Sequence, residues 1–227
     1  MMAEVGGSWR VARSAAMLSL IQMITAAEIL LAPLWVGVMS VRPASSRALR
    51  WARLPAPMIF VAVILVGLGA MAEPSVVGEV LASQAVAVGF LILLAGMAAV
   101  AERAAGPRAA QGFTAVLGGL VLGSMILAGP AAELLSEPVR SMVVRAAMHV
   151  NPLVVAERTL GLDWMHQGLT YRLTPLGESF SYLFRDLAWW KTLLGHVFIG
   201  SGLLVFSLPR PQKDAAVPEN RRANVPD

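Results

Sequence analysis

Long, almost uninterrupted stretches of apolar residues constrain this chain more than any other feature. The first runs from Ala15 to Val41 and holds a single charged residue, Glu28. A helix that crosses a bilayer needs about 20 mostly apolar residues, so this stretch is long enough. Of the 227 residues, 57% are hydrophobic and 14% are charged. A protein of that size with so few charged residues does not have enough polar side chains for a surface exposed to water, and we expect it to be surrounded by lipid.

Five such stretches, separated by charged or proline-containing breaks, divide the chain. They predict an all-α integral membrane protein, a bundle of about five transmembrane helices. The transmembrane domain would run from residue 15 to residue 208, after an external N-terminal segment at 1–14. A polar tail at 209–227 follows it and is predicted to be disordered. The five predicted spans are 15–41, 57–72, 76–101, 112–132 and 187–208.

Positively charged residues set the predicted orientation of these spans. The loop at 42–53 holds four arginines and no acidic residue, whereas the turn at Glu73 and Pro74 holds no basic residue. Arginines and lysines occur again at 102–111 and after Pro209. Because cytoplasmic loops are enriched in Lys and Arg, we expect the N-terminus outside and the C-terminus inside. The predicted location is the bacterial inner (cytoplasmic) membrane. The short basic stretches indicate the orientation of the spans, and we expect no nucleic-acid partner.

The segment at 133–186 is predicted to lie outside and to contain re-entrant or interfacial helices. Residues 137–155 are apolar on one face at helical spacing, which is typical of a helix lying in the membrane interface. Asn151 and Pro152 then break this helix, and a second short helix is predicted from Leu153 to Leu160. Asn151 and Pro152 are therefore candidate residues of an external re-entrant motif. The apolar face consists of Val139, Met142, Val143, Ala146, Ala147 and Val150.

Gln22, Thr25 and Glu28 form a candidate polar stripe within the first span. Their spacing of three residues places them along one slowly rotating face of a helix. A carboxyl group at that depth is costly unless it faces the interior of the bundle. The stripe either lines a substrate path or makes hydrogen bonds between helices, and the second reading is favoured because such bonds are common between membrane helices.

The sequence contains no recognisable catalytic or metal-binding set. Cysteine is absent, and no metalloprotease, nucleophile-elbow or phosphate-loop motif occurs. His149, His166 and His196 could suggest haem or a metal ion, but only His196 lies in a predicted span, and haem needs ligands at matching depth. We therefore predict no enzyme activity, no cofactor and no metal.

The arginine-rich loop between the first two spans is the main candidate for contact with a partner. It could form a short amphipathic element whose tryptophan enters the interface while its arginines meet lipid phosphates or an acidic partner. Alternatively, the loop only enforces topology. Its candidate residues are Arg42, Arg47, Arg50, Trp51 and Arg53.

Glycines in the last two predicted spans indicate close packing between helices. Gly119 and Gly123 form a GxxxG pattern. The last span contains Gly195, Gly200 and Gly202, which leave part of its surface without side chains. Small residues let helix backbones approach each other, either within the bundle or in contact with another subunit.

The order of these features resembles the transmembrane domain of type-2 ABC exporter permeases over most of residues 15–208. LIQMITAAEILLAPLWVGVMS, followed by the arginine loop, is similar to the family's helix that returns to a coupling segment. FLILLAGMAAVAERAAGPRAAQGFTAVLGGLVL is similar to its later pair of spans. Asn151, Pro152 and Leu153, with LGLDWMHQGLTYRLTPLGE downstream, resemble its external re-entrant segment. The family usually begins with one more helix, which this chain lacks, and its coupling segment contains glutamates that are missing here.

The resemblance implies a permease-like subunit of a bacterial ABC export system. Such a subunit works as a dimer and is coupled to a separate ATP-binding cassette subunit, here through the loop at 42–53. The alternative expectation is a non-transporting accessory or scaffold subunit of a larger inner-membrane complex. Both readings have membrane lipids and other subunits as partners.

Overall fold

The computed structural model describes residues 2–41, 51, 53–161 and 188–208, with side chains from residue 14 onward. Across these ranges every long element is an α-helix and no strand occurs, which confirms the all-α prediction for this part of the chain. A single turn of 3₁₀-helix at Pro74–Val76 joins the second and third helices. The helices are α1 (Met2–Val41), α2 (Ala56–Ala72), α3 (Val77–Ala105), α4 (Pro107–Leu122), α5 (Ser124–Glu133), α6 (Glu137–Val150), α7 (Pro152–Thr159) and α8 (Trp189–Ser207).

Three helices are long and apolar enough to cross a membrane by length and composition. They are Ser14–Val41 within α1, Pro74–Ala105 including α3, and Trp189–Ser207. A fourth is reached if α4 and α5 count as one span, although they bend by 56° at their junction. The apolar helix α2 has 17 residues, about 25 Å, and falls short of a hydrocarbon core of about 30 Å. The predicted number of about five therefore becomes three or four by this criterion.

The bend between α4 and α5 divides what the sequence predicts as one span at 112–132. Gly123 ends α4, and its N–H donates to Gly119 O at 2.7 Å. Ser124 then begins a new helix that contains Pro130. Sharp kinks in helices occur at glycine and proline, because these residues cannot hold the regular ladder of hydrogen bonds in place. Hydropathy alone does not register this break, since both halves are apolar.

Helix α3 is the centre of the bundle. It packs against α1, α2, α4, α7 and α8, and Phe90, Leu91 and Leu94 are fully buried within it. The outer faces of α1, α2 and α8 instead expose large apolar side chains to the surroundings. A water-soluble monomer rarely exposes apolar surface on this scale. Leu31, Leu34, Phe60, Val63, Met71, Phe198, Val205 and Phe206 are examples of these exposed side chains.

The contacts between helices fix their relative directions. Gln84 of α3 bonds to Thr25 of α1, whereas Arg103, at the other end of α3, bonds to the carbonyl oxygens of Phe206 and Leu208. Helices α1, α3 and α8 run the same way, while α2 and α4 run the opposite way. One end of the bundle therefore holds the turn at residues 73–76, and the other holds the start of α2 and the α3–α4 connection.

Glycines allow α3 and α8 to touch backbone to backbone. A Cβ atom on Gly200 would lie 2.5 Å from Ile92 O, and one on Gly96 would overlap Gly200 O. A Cβ atom on Gly118 of α4 would lie 2.5 Å from Pro33 Cγ. Gly119 has open space around its Cβ position, so within this chain Gly118 and not Gly119 is the glycine of α4 that meets another helix. Spacing alone does not say which face of a helix packs inward.

We expect Gly200→Ala to destabilise the bundle, because the added methyl group meets the backbone of α3, which cannot move aside as a side chain can. Thermal unfolding of the purified protein in detergent should show a melting temperature lower by about 2–10 °C. Gly202→Ala is the matched control, since a Cβ atom there has nothing within 4 Å. Equal melting temperatures for the two variants would contradict this packing.

Candidate functional site

Several hydrogen bonds between side chains and backbone meet at the corner between α6 and α7, and Asn151 lies at its centre. Its side chain is 2% exposed, and its Oδ1 accepts from the N–H groups of Leu153 at 3.1 Å and Val154 at 3.3 Å. Its Nδ2 donates to Leu122 O, at the end of α4, at 2.7 Å. Asn151 therefore caps α7 and ties it to the bend between α4 and α5. Pro152 is well suited to the first position of α7, where no N–H is needed.

The Asn151 cap leaves two carbonyl groups of α6 without their usual partners. In a continuous helix the N–H groups of Leu153 and Val154 would donate to His149 O and Val150 O. Side chains of α8 replace them, with Thr192 Oγ1 donating to His149 O at 2.8 Å and His196 Nε2 lying 3.2 Å from Val150 O. Buried carbonyl groups need such donors. The bond from His196 requires the tautomer with its proton on Nε2.

Two more side chains complete the attachment of the corner to its neighbours. Ser124 Oγ, at the start of α5, donates to Ala147 O at 3.1 Å. Arg140 of α6 donates from Nε to Ala132 O at 2.9 Å and from Nη2 to Leu135 O at 3.1 Å. Ala132 lies in the last turn of α5, and Leu135 lies in the turn that follows it. The α5–α6 hairpin is thus held at both of its ends.

The predicted apolar face of α6 points away from the protein. Met142 is 66% exposed, and Val139 and Val150 are also exposed. The side chains that α6 buries are Val144 and Met148, which pack against Met125 and Ala132 of α5. An amphipathic helix whose apolar face is left uncovered by the rest of the chain is typical of the membrane interface.

The polar stripe of α1 makes two contacts between helices. Thr25 Oγ1 accepts from Gln84 Nε2 of α3 at 2.9 Å. Gln22 Nε2 donates to Leu160 O, just beyond α7, at 3.1 Å. The structure therefore brings α1, α3 and the C-terminal end of α7 together through polar groups. Glu28, the third member of the stripe, lies beside the amide of Gln84.

Two carboxyl groups in this part of the bundle are enclosed, one beside the amide of Gln84 and the other without a hydrogen bond from any residue that the structure describes. They belong to Glu28 and to Glu157 of α7. Glu157 is 1% exposed, and burial raises its pKa to about 7. A carboxyl group in that state takes up or loses a proton near neutral pH. Enclosed carboxyl groups of this kind are common at functional sites.

Sequence reasoning missed Glu157, Gln84 and Thr192. Gln84 is an amide in a long apolar run, and its polarity there was an available signal, whereas Glu157 stands beside Arg158 and Thr159 in the predicted short helix and gives no such signal. The hydrogen-bond partners themselves could not be read from the sequence, because they lie on different helices.

The structure describes only two of the five candidate residues in the arginine-rich loop. Arg42, Arg47 and Arg50 lie outside the described residues. Arg53 is exposed, whereas Trp51 is half-buried and packs against the main hydrophobic core. The bundle itself supplies apolar surface that the Trp51 ring partly covers, and contact of the loop with lipid or a partner stays a prediction.

Histidines and acidic residues do not gather into a metal-binding group in the described part of the chain. His149 of α6 and His196 of α8 both adjoin the corner, but His196 already uses its Nε2 there. Burial, together with Lys191 and Arg145, lowers the pKa of His149. His166 lies outside the described residues.

Comparison of the chain with protein-family models, with characterised proteins and with solved structures finds no match.

We expect Asn151→Ala to loosen the corner, because it removes the cap of α7 and the donor to Leu122 O together. Hydrogen exchange should increase across residues 147–160 while the centre of α3 stays protected. The loss of stability should be about 2–4 kcal/mol, the combined cost of a lost cap and an unpaired buried acceptor. Asn151→Ser retains an oxygen that can cap α7 but loses the donor to Leu122 O. Its stability should therefore lie between those of the unchanged protein and Asn151→Ala. Unchanged exchange in Asn151→Ala would contradict this role.

Proposed function

We propose that this chain is a permease-like subunit of a bacterial ABC export system, embedded in the inner membrane and coupled to a separate ATPase subunit. The observation that carries the proposal is the broken helix pair α6–α7, which enters the bundle between α1, α3 and α8. An external re-entrant segment with an Asn-Pro-Leu element is what the sequence resemblance leads us to expect at this place. Here Asn151 and Pro152 form the turn of that pair.

The pattern of exposure supports the membrane location. The charged and amide side chains of the spanning helices mostly lie at the helix ends or face inward, whereas their outer faces carry leucine, valine, isoleucine and phenylalanine. Broken helices occur at membrane depth only where protein satisfies their backbone groups. Thr192, His196 and Ser124 provide that satisfaction at the corner.

The helix directions support an orientation with the N-terminus outside and the C-terminus in the cytoplasm. The turn at residues 73–76 lies at one end of the bundle, and α7 runs from the corner toward that end, where Leu160 packs with Val80. The basic loops at 42–53 and 102–111 leave from the other end. Since positive residues are retained on the cytoplasmic side, the turn at residues 73–76 and the end of α7 would face outward.

The enclosed carboxyl groups support a transport role for the bundle. Acidic residues within membrane-embedded protein are costly, and they are typically found along the paths of ions or substrates. Glu28 lies near the middle of the spanning part of α1, and Glu157 lies on α7 between the corner and the end that would face outward. Glu28 belongs to a spanning helix and Glu157 to the re-entrant helix α7.

A second candidate is an accessory or scaffold subunit of a larger inner-membrane complex. The observation in its favour is that the loop at 42–53 contains no acidic residue. Coupling segments of the family that the chain resembles usually carry glutamates. An accessory subunit would not need to engage an ATPase through this loop.

The two candidates are separated by purifying the tagged protein from its native membrane and identifying bound proteins by mass spectrometry. The export proposal predicts that an ATP-binding cassette subunit co-purifies. It further predicts that the double variant Arg47→Glu and Arg50→Glu reduces its recovery by about tenfold or more, since repulsion replaces attraction at the contact.

Arg221→Glu with Arg222→Glu is the matched control, because it changes the charge equally on the same predicted side of the membrane. This control should leave recovery of the ATPase unchanged. A stable complex that contains no such ATPase would contradict the export role and support the accessory subunit.

A further inference from the structure

A groove runs along the outer surface of the bundle, with α2 on one side, α8 on the other and α3 as its floor. Its volume is about 450 Å³, which lies within the usual range for small-molecule sites. Small side chains at Ala62 and Ala85 give it depth. Gln84 contributes its single polar side chain, and the rest of its lining is apolar and includes Val63, Val88 and Leu193.

Gln84 has one half of its amide satisfied and the other half free. Its side chain is 3% exposed, and its Nε2 bonds to Thr25 on α1. Its Oε1 has no hydrogen-bond partner among the residues that the structure describes. Because nitrogen and oxygen diverge from the same carbon atom, the oxygen faces away from Thr25. An enclosed acceptor of this kind is stabilised by any donor that reaches it.

The height of Gln84 in the bundle follows from the register between α3 and α8. Gly96 meets Gly200, and Arg103 meets the carbonyl of Phe206, so the two helices are parallel and keep nearly the same register along their length. Gln84 then lies level with the residue that precedes Trp189. Tryptophans collect at the level of the lipid headgroups. Gln84 therefore lies where the polar head of a lipid joins its chain.

We propose that the groove binds the single acyl chain of a lipid whose free hydroxyl group donates to Gln84 Oε1. The chain would lie along Val88 and Val63, which continue the groove below Gln84. The head-to-chain junction of a diacyl phospholipid consists of esters, which accept hydrogen bonds but do not donate them. A single-chain lipid with a free hydroxyl group at that junction supplies the missing donor. The proposal depends on the membrane environment and does not depend on coupling to an ATPase.

The direct test titrates the purified full-length protein with 1-oleoyl-lysophosphatidylcholine and counts bound lipid by native mass spectrometry. The comparison ligand is the 2-deoxy analogue, which has the same chain and headgroup but no hydroxyl donor. We expect the hydroxyl lipid to bind tighter by roughly 2- to 12-fold, the range for one hydrogen bond to a neutral group. Equal affinity for the two lipids would overturn the role of Gln84.

Two pairs of variants keep the test independent of folding. Ala62→Phe fills the groove and should abolish binding, whereas Ala70→Phe, on the exposed surface of the same helix, should not change it. Gln84→Leu should remove the preference for the hydroxyl lipid. Thr25→Val loses the same bond between α1 and α3 and should keep that preference. Unchanged binding by Ala62→Phe would overturn the site itself, whether or not an ATPase co-purifies.

Discussion

The bundle depends on how the broken chain at Asn151 satisfies its backbone hydrogen bonds. The Asn151 side chain takes up two N–H groups of α7, which leaves His149 O and Val150 O in need of donors. Thr192 and His196 supply those donors from α8. A polar backbone group buried without a partner costs about as much as a lost hydrogen bond. These few bonds therefore decide where α7 enters the bundle and which helices it meets.

Close packing around α3 connects that corner to the other helices of the bundle. Gly96 and Gly200 bring α8 against α3, so that Thr192 and His196 reach the corner from a fixed position. The same contact sets the height of Gln84 relative to Trp189 and forms one wall of the groove. Helix α1 is joined to α3 through Thr25 and to the end of α7 through Gln22. Enclosing Glu157 is the consequence of placing α7 there.

The sequence was sufficient for the helical class, the approximate helix positions and the break at Asn151 and Pro152. These features depend on local hydropathy and on the chemistry of proline and asparagine. The bend at Gly123, the inward face of Gly118 and the burial of Glu157 could not be predicted. Each depends on which side of a helix meets its neighbours, and an apolar run that is hydrophobic all round contains no such signal.

The absence of cysteine makes the central claim, a membrane bundle whose turn at residues 73–76 faces outside, directly testable by single-cysteine labelling. Gly78→Cys, beside the turn at residues 73–76, should react with a membrane-impermeant maleimide in intact spheroplasts. Ala104→Cys, at the opposite end of α3, should react only after permeabilisation. Val63→Cys, on the outer face of α2, should stay unreactive in both. Labelling of Ala104→Cys before permeabilisation, or ready labelling of Val63→Cys, would contradict the account.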